Sequence, residues 1–367
     1  MKAVAVVPEE HSVRVVDHPE PKLEQPEDVL LRILDVGVCG TDREIARFEY
    51  GTPPPGSDYL VIGHESLAEV VETGPNVTRV KPGDLVVTMV RRPCARLDCP
   101  ACRSGHPDFC VTGEFTERGI NGLQGFMTEQ VVDDQRYMHV VPAHLNSVGV
   151  LVEPLTIAEK ALLEVVDVQD RLPWLSEDAI HSGTALVLGA GPVGLLGTLA
   201  LLVRGFDTWV YSLEPADSAK GKWVQSVGGH YLSAKDASIA ELGAKTRNID
   251  LVYEATGVSH VAFQAMEVLG VNGIFIFTGV PSRKAPIEVD ADLLMRNLVL
   301  QNQLVYGTVN AGSRAFENAI QDLAKFYETW PDAVTSLITG RYAPEEAESL
   351  LLGKSEGIKQ VVTLRGE

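Results

Sequence analysis

Short apolar runs broken by glycine and proline fill roughly the first 150 residues. "KAVAVV", "VLLRILDVGV", "LAEVVETG" and "DLVVTMV" read as strands. Their irregular spacing and the proline-rich "GTPPPGSDYL" predict a partly open β domain with long loops. The rhythm changes in "VGVLVEPLTIAEKALLEVVDVQ", where apolar residues recur near every third or fourth position and predict a helix. A third rhythm starts at Thr184. "TALVLGAGPVGLLGTLALLVRG" is an apolar strand, a glycine turn and an apolar helix. "DTWVYSLEP", "IDLVYEATG" and "GIFIFTGV" are further strands, with a helical "SHVAFQAMEVLG" before the last. Such alternation predicts βαβ units and a doubly wound parallel sheet. "LVLQNQLVYGTVN" reads as a last strand region, and its run near 298–306 is a candidate exposed sheet edge or else a buried strand. Beyond Asn310 come an amphipathic helix ("SRAFENAIQDLAKFYETW"), a short link and a final strand ("IKQVVTLRG"). This tail leaves the βαβ pattern and is expected to pack back on the first domain.

Length and composition narrow the class. A chain of 367 residues suits two domains, and 45% hydrophobic content supports a sizeable core. No apolar run is long enough for a membrane-spanning helix, and the N-terminus reads as a strand rather than a signal peptide. A cytoplasmic enzyme is therefore expected. The formal net charge of −19 disfavours nucleic acid and anionic membrane as partners and mildly favours a neutral substrate.

"VLGAGPVG" follows an apolar strand and opens a helix, the context that a G-x-G-x-x-G motif requires. Gly189 would allow the tight turn, Gly191 would let backbone N–H groups approach a pyrophosphate, and Gly194 would let helix and strand pack closely. Ala190, Pro192 and Val193 complete the loop, whose helix N-terminus favours phosphate. Glu214, 25 residues after Gly189, is the candidate acceptor for a ribose diol. No arginine pair stands nearby to hold a 2′-phosphate, so NAD is favoured over NADP. A solvated loop carboxylate is the competing reading of Glu214.

Four of the five cysteines, Cys94, Cys99, Cys102 and Cys110, fall within 17 positions. In a chain without an export signal this spacing points to a closed Cys₄ structural zinc site, with two disulfides as the alternative. Cys39 stands apart in "GVCGTD", and "GHE" supplies His64 and Glu65. Thiolate, imidazole and carboxylate form a zinc ligand set of the catalytic type, with one position open. Singly, Cys39 is an ordinary buried small residue and His64 an ordinary core histidine; both together in glycine-flanked loops favour metal. Glu153, bracketed by apolar residues in "LVEPL", is a candidate fourth, exchangeable ligand or a group beside the metal.

Together these residues resemble the zinc-dependent medium-chain dehydrogenase/reductase superfamily along essentially the whole chain. "CGTDREI", "HPDFC", "TGEF", "RGINGLQGFMTE", "EPLTIAEKA", "EATG" and "VNAGSRAF" are most similar to the archaeal-type glucose 1-dehydrogenases. The resemblance implies a GroES-like catalytic domain over 1–183 with a zinc lobe at about 91–112, a Rossmann domain over 184–310, and a return to the catalytic domain over 311–367. It implies oxidation of the C1 hydroxyl of a β-D-aldose to the lactone, with hydride passed to NAD(P)+, and a homo-oligomer, dimer or tetramer. By the same resemblance Cys39, His64 and Glu65 bind the catalytic zinc, and Thr41 contacts substrate. Glu117, Glu153 and Asn310 match sugar-contacting positions. Thr278, Gly279, Val280, Thr308, Val309 and Asn310 match the nicotinamide surroundings. Val90 and Ile157 stand where some members carry polar or acidic sugar contacts. The first cysteine spacer has four residues, where the superfamily usually has two, which predicts a bulge between Cys94 and Cys99. The competing readings are a zinc polyol or secondary-alcohol dehydrogenase, and a non-catalytic dinucleotide sensor on the same fold.

Overall fold

The computed structural model describes residues 1–175, 182–246, 248–281, 286–354 and 356–365. It divides into two compact units. Unit 1 holds Met1–Thr156, Asn310–Tyr327 and Val334–Glu367; unit 2 holds Ile157–Val309 and Glu328–Ala333.

In unit 1 the chain forms β1 (Lys2–Val7), β2 (Ser12–Asp17), β3 (Asp28–Gly37), β4 (Leu60–Val61), β5 (Glu65–Thr73), β6 (Leu85–Thr88), β7 (Arg91–Arg92), β8 (Thr116–Arg118), β9 (Gly122–Leu123), β10 (Gln130–Asp134) and β11 (Met138–Val141). Unit 2 adds β12 (Thr184–Leu188), β13 (Asp207–Ser212), β14 (His230–Ser233), β15 (Leu251–Glu254), β16 (Ile274–Phe277) and β17 (Leu304–Gly307). The chain then returns to unit 1 with β18 (Ile338–Tyr342) and β19 (Lys359–Thr363).

The main sheet of unit 1 runs β11-β6-β5-β3-β19-β18, with β10 also on β3. Its core comes from inward residues of β3, β5 and β6, among them Leu31, Ile33, Val70 and Val86. The returning β19 pairs with β3 opposite β5. Gly37 therefore faces Glu65 on one side and Val361 on the other. This order brings three distant segments to the exit of β3, immediately before Cys39.

Unit 2 is a six-stranded parallel sheet in the order β14-β13-β12-β15-β16-β17. Counted from β12, that is the 3-2-1-4-5-6 order of a doubly wound nucleotide-binding sheet. The central strands are apolar along nearly their whole length, as strands covered on both faces must be.

Two sequence expectations need correction. The stretch from 298 reads as strand, but its first three residues close the helix Ala291–Leu300, and only Leu304–Gly307 is strand. Asp290 starts this helix by accepting the Leu293 N–H at 2.9 Å, and Asn302, at φ 50°, turns the chain after it. The tail's expected short link contains β18 and the helix Ala347–Leu352. The compact division falls after Thr156. The helix Val152–Gln169 begins in unit 1, but its later residues bind unit 2. Glu159 pairs with Arg204 at 2.7 Å, Lys160 donates to the Val309 carbonyl at 3.1 Å, and the Ala161 carbonyl accepts from Tyr306 at 3.0 Å. Among the described residues, no helix is long and apolar enough to cross a membrane.

Candidate active site and metal centres

Cys39 caps the helix Gly40–Ala46. Asp42, three residues on, accepts the Cys39 N–H at 2.8 Å and the Gly63 N–H at 3.2 Å. One buried carboxylate thus ties the Cys39 loop to the loop that presents His64. The same Asp42 Oδ1 lies 3.4 Å from His64 Nδ1. This leaves Nε2 as the ring nitrogen for a ligand role, and a carboxylate behind a ligating imidazole fixes its orientation. Candidate ligand atoms of Cys39, His64 and Glu65 all lie within 4.8 Å of one another. One sulfur, one nitrogen and one carboxylate oxygen match zinc in kind and number.

Lys359 is 2% exposed and forms an ion pair with Glu65 Oε2. It also donates to the Val38 carbonyl at 3.1 Å. Gly37 is what makes room: a Cβ there would collide with Glu65 Oε2 and with the Lys359 side chain. Burial opposes the charge on Lys359, but Glu65 and Cys39 outweigh it and raise its pKa. Burial opposes the charge on His64 too, yet Asp42 and Cys39 raise its pKa well above the usual range. Cations are thus drawn to this cluster, as expected where anionic ligands converge.

Glu153 stands outside the compact ligand group, in the first turn of the helix Val152–Gln169. Burial pushes its carboxyl up to about 7, and Glu65 adds to the rise against His64 and Lys359. Thr41 places its hydroxyl 4.0 Å from Cys39 Sγ. Glu117 and Asn310, 193 positions apart, meet directly: Asn310 Nδ2 donates to Glu117 Oε1 at 2.9 Å.

The four lobe cysteines also bring their Sγ atoms within 4.8 Å of one another, and all are free thiols. Backbone N–H groups of Cys102 and Val111 lower the Cys99 pKa, which favours the thiolate a metal requires. The four-residue spacer is held on the outside by an Arg96–Asp98 pair at 2.9 Å, with Leu97 exposed at its tip.

In unit 2, Gly189 has φ 102°, and a Cβ on Gly194 would strike the Gly189 carbonyl. Nothing lies within 4 Å of a Cβ built on Gly191, so the loop keeps open space above the helix Pro192–Val203. Glu214 follows β13, paired with Lys220 at 3.0 Å. Glu254 gathers the facing loops. Its Oε1 accepts from the Thr256 and Gly257 N–H groups at 2.6 and 2.9 Å, and its Oε2 from Gly279 at 3.2 Å. Thr278 Oγ1 donates to the Glu254 carbonyl at 2.6 Å. Thr308 Oγ1 donates to Glu164 at 3.2 Å.

Sequence reasoning missed Asp42, Lys359 and Glu254. A signal existed for each: an acidic residue at the third position of a helix after its cap, and charged residues inside the apolar runs "IKQVV" and "LVYE".

A GroES-like unit carrying a thiolate–imidazole–carboxylate group, followed by a doubly wound sheet with a glycine loop, defines a zinc-dependent medium-chain dehydrogenase. The chain matches the alcohol dehydrogenase GroES-like domain over residues 25–143 and the glucose dehydrogenase C-terminus over residues 146–364. It is 39% identical to glucose 1-dehydrogenase of Thermoproteus tenax, covering 100% of both chains. It is 36% identical to glucose 1-dehydrogenase of Methanocella arvoryzae, covering 99% of both. Among solved structures it is similar to Haloferax mediterranei glucose dehydrogenase in complex with NADP, Zn and gluconolactone, with TM-score 0.86, 32% identity and 99% coverage of each chain. The chain belongs to the glucose 1-dehydrogenase family.

Proposed function

We propose that this protein oxidises the C1 hydroxyl of glucose or a closely related aldose to the lactone and passes the hydride to NAD(P)+. The observation that carries this reading is the coincidence, in unit 1, of the Cys39–His64–Glu65 group with the Glu117–Asn310 pair. The gluconolactone bound by the Haloferax relative supports the same product class.

Two zinc ions per chain are proposed, one held by Cys39, His64 and Glu65 beside Glu153, the other by Cys94, Cys99, Cys102 and Cys110. When bound, the first supplies a Lewis acid that lowers the pKa of the substrate hydroxyl. Thr41 relays the proton, and Glu153 accepts it or exchanges it with water. Asp42 holds His64 in one orientation, while Lys359 pairs with Glu65 Oε2 and balances the carboxylate charge. Glu117 and Asn310 read sugar hydroxyls, and a site built on such buried polar groups rejects analogues that leave them unpaired. Gly189, Ala190, Gly191, Pro192, Val193 and Gly194 take the pyrophosphate at a helix N-terminus. Thr278, Gly279, Val280, Thr308, Val309 and Asn310 surround the nicotinamide.

Glu214 is proposed to accept the ribose diol, so NAD is the preferred coenzyme. Its carboxylate repels a 2′-phosphate, although Lys220 beside it softens that repulsion. A panel of aldoses run beside sorbitol, threonine and simple alcohols, with both coenzymes, tests these points. Highest kcat/KM for a hexose aldose with NAD is expected. Best turnover of sorbitol or a secondary alcohol would replace the sugar reading with a polyol or alcohol dehydrogenase. Much higher efficiency with NADP would remove Glu214 from its role.

The protein is proposed to be a homodimer or homotetramer. β17 is an edge strand, and Met295, Val299 and Leu300 are exposed on the preceding helix. An unprotected edge beside apolar side chains suits pairing with a second copy. Sedimentation should give a dimer or tetramer, shifted toward monomer by Val299→Lys; a monomeric wild type would refute the assignment.

A further inference from the structure

Two adjacent arginines on β7 point to opposite environments. Arg92 is built into a structural cluster: it donates to the Met89 carbonyl at 2.6 Å and to Asp133 Oδ2 at 2.5 Å, and lies 4.0 Å over the Tyr137 ring. Arg91 turns instead to Glu117, its direct partner across the β7–β8 pair. Its Nε and Nη2 both reach Glu117 Oε1 at 3.0 Å. Asn310 Nδ2 reaches the same oxygen at 2.9 Å. Arg91 Nε and Asn310 Nδ2 therefore both donate to one carboxylate oxygen, with Nη2 at ion-pair distance, and among the described residues the side-chain hydrogen bonds to the Glu117 carboxylate all fall on Oε1. The third guanidinium nitrogen, Nη1, donates to the Asp108 carbonyl at 3.2 Å, two residues before Cys110. The guanidinium lies 3.7 Å over the Phe115 ring, which fixes its plane.

We propose that Arg91 is a positioning residue of the sugar site, turning Glu117 Oε2 toward a sugar hydroxyl and linking that carboxylate to the cysteine lobe. This rests on the reading of Glu117 as a sugar contact. A carboxylate held on one oxygen is restricted in orientation and offers its other oxygen, so it selects a hydroxyl by place as well as by polarity. Arginine suits the task because its planar fork serves Glu117 and Asp108 at once, which a lysine ammonium cannot do with the same geometry. The lobe thereby acquires a second duty beyond local stability: the Asp108 carbonyl anchors the arginine that aims Glu117.

Steady-state kinetics of the zinc-loaded enzyme test this. Arg91→Met and Arg91→Lys are compared with wild type on glucose and on a series of monodeoxyglucoses. For Arg91→Met the glucose KM should rise about tenfold to a hundredfold, as for loss of a charge-assisted hydrogen bond. The coenzyme KM and zinc content should hold while the melting temperature falls, because Glu117 loses a buried partner, and Arg91→Lys should fall between. On the one monodeoxyglucose that lacks the hydroxyl read by Glu117, variant and wild type should converge. An unchanged glucose KM in a folded Arg91→Met protein overturns the proposal. So do parallel losses for sugar and coenzyme, which mark a merely structural role. If Arg91 variants do not fold, Phe115→Leu removes the stacking surface and should raise the sugar KM alone; no such rise overturns the proposal. Glu117→Gln separates the two layers. If it leaves all aldoses unaffected, Glu117 is not a sugar contact and the proposal falls with it. If it damages sugar use while Arg91 variants are silent, only the role of Arg91 is lost.

Discussion

Replacing His64 by alanine is expected to give a folded protein with one zinc per chain instead of two and a kcat/KM for glucose lower by about a thousandfold or more. Three protein ligands define the proposed catalytic site, and two cannot hold zinc in the same geometry. The fold should survive because Asp42, the partner left behind, keeps the backbone N–H groups of Cys39 and Gly63. His64 also contributes no residue to the apolar core of unit 1. Asp42→Asn makes an instructive contrast. It keeps an oxygen acceptor but withdraws the charge behind the imidazole, so affinity for the catalytic zinc should fall by about tenfold to a hundredfold. Metal analysis beside circular dichroism and turnover reads all three quantities. Two zinc ions and full activity in His64→Ala would sink the assignment.

The parts of this site that could be read from the sequence share a property: each is marked by its own neighbours. "GAGPVG" lies between an apolar strand and an apolar helix, and "GVCGTD" and "GHE" carry ligand-type residues beside glycine. Lys359 is marked only as a charge inside an apolar run, and nothing beside it points to Glu65 as its partner. It meets Glu65 only because β19 returns after unit 2 and pairs with β3 opposite β5. That event depends on strand order, not on local pattern. Arg91 and Glu117 face each other across strands of two and three residues, too short for any alternation to show. Residues 298–300, the end of the helix Ala291–Leu300, mislead for the opposite reason. A short apolar run satisfies helix and strand alike, and the deciding feature was the Asp290 cap. The division within Val152–Gln169 was equally hidden, because periodicity reports that a helix exists and not which core its later turns join.

Cys99→Ser should cost the protein its second zinc and a large part of its thermal stability. Cys99 is fully buried, within 4.8 Å of the other three lobe thiols. Serine keeps a hydrogen-bonding group there but not a thiolate, and three remaining cysteines no longer close the site. Structural zinc can supply about 10 kcal/mol of binding free energy, comparable with the whole stability of a typical domain. The loss should still begin locally. The main core of unit 1 draws on Val90 and Ile120 but on no residue between them. Hydrogen exchange should therefore rise first across about 91–112, with the rest of unit 1 following at a lowered melting temperature. The Asp108 carbonyl would then release Arg91, so the glucose KM should rise before turnover collapses. Loss of activity with melting temperature and exchange both unchanged would show that the lobe's metal does not hold structure at all, and would move Cys99 from scaffold to chemistry.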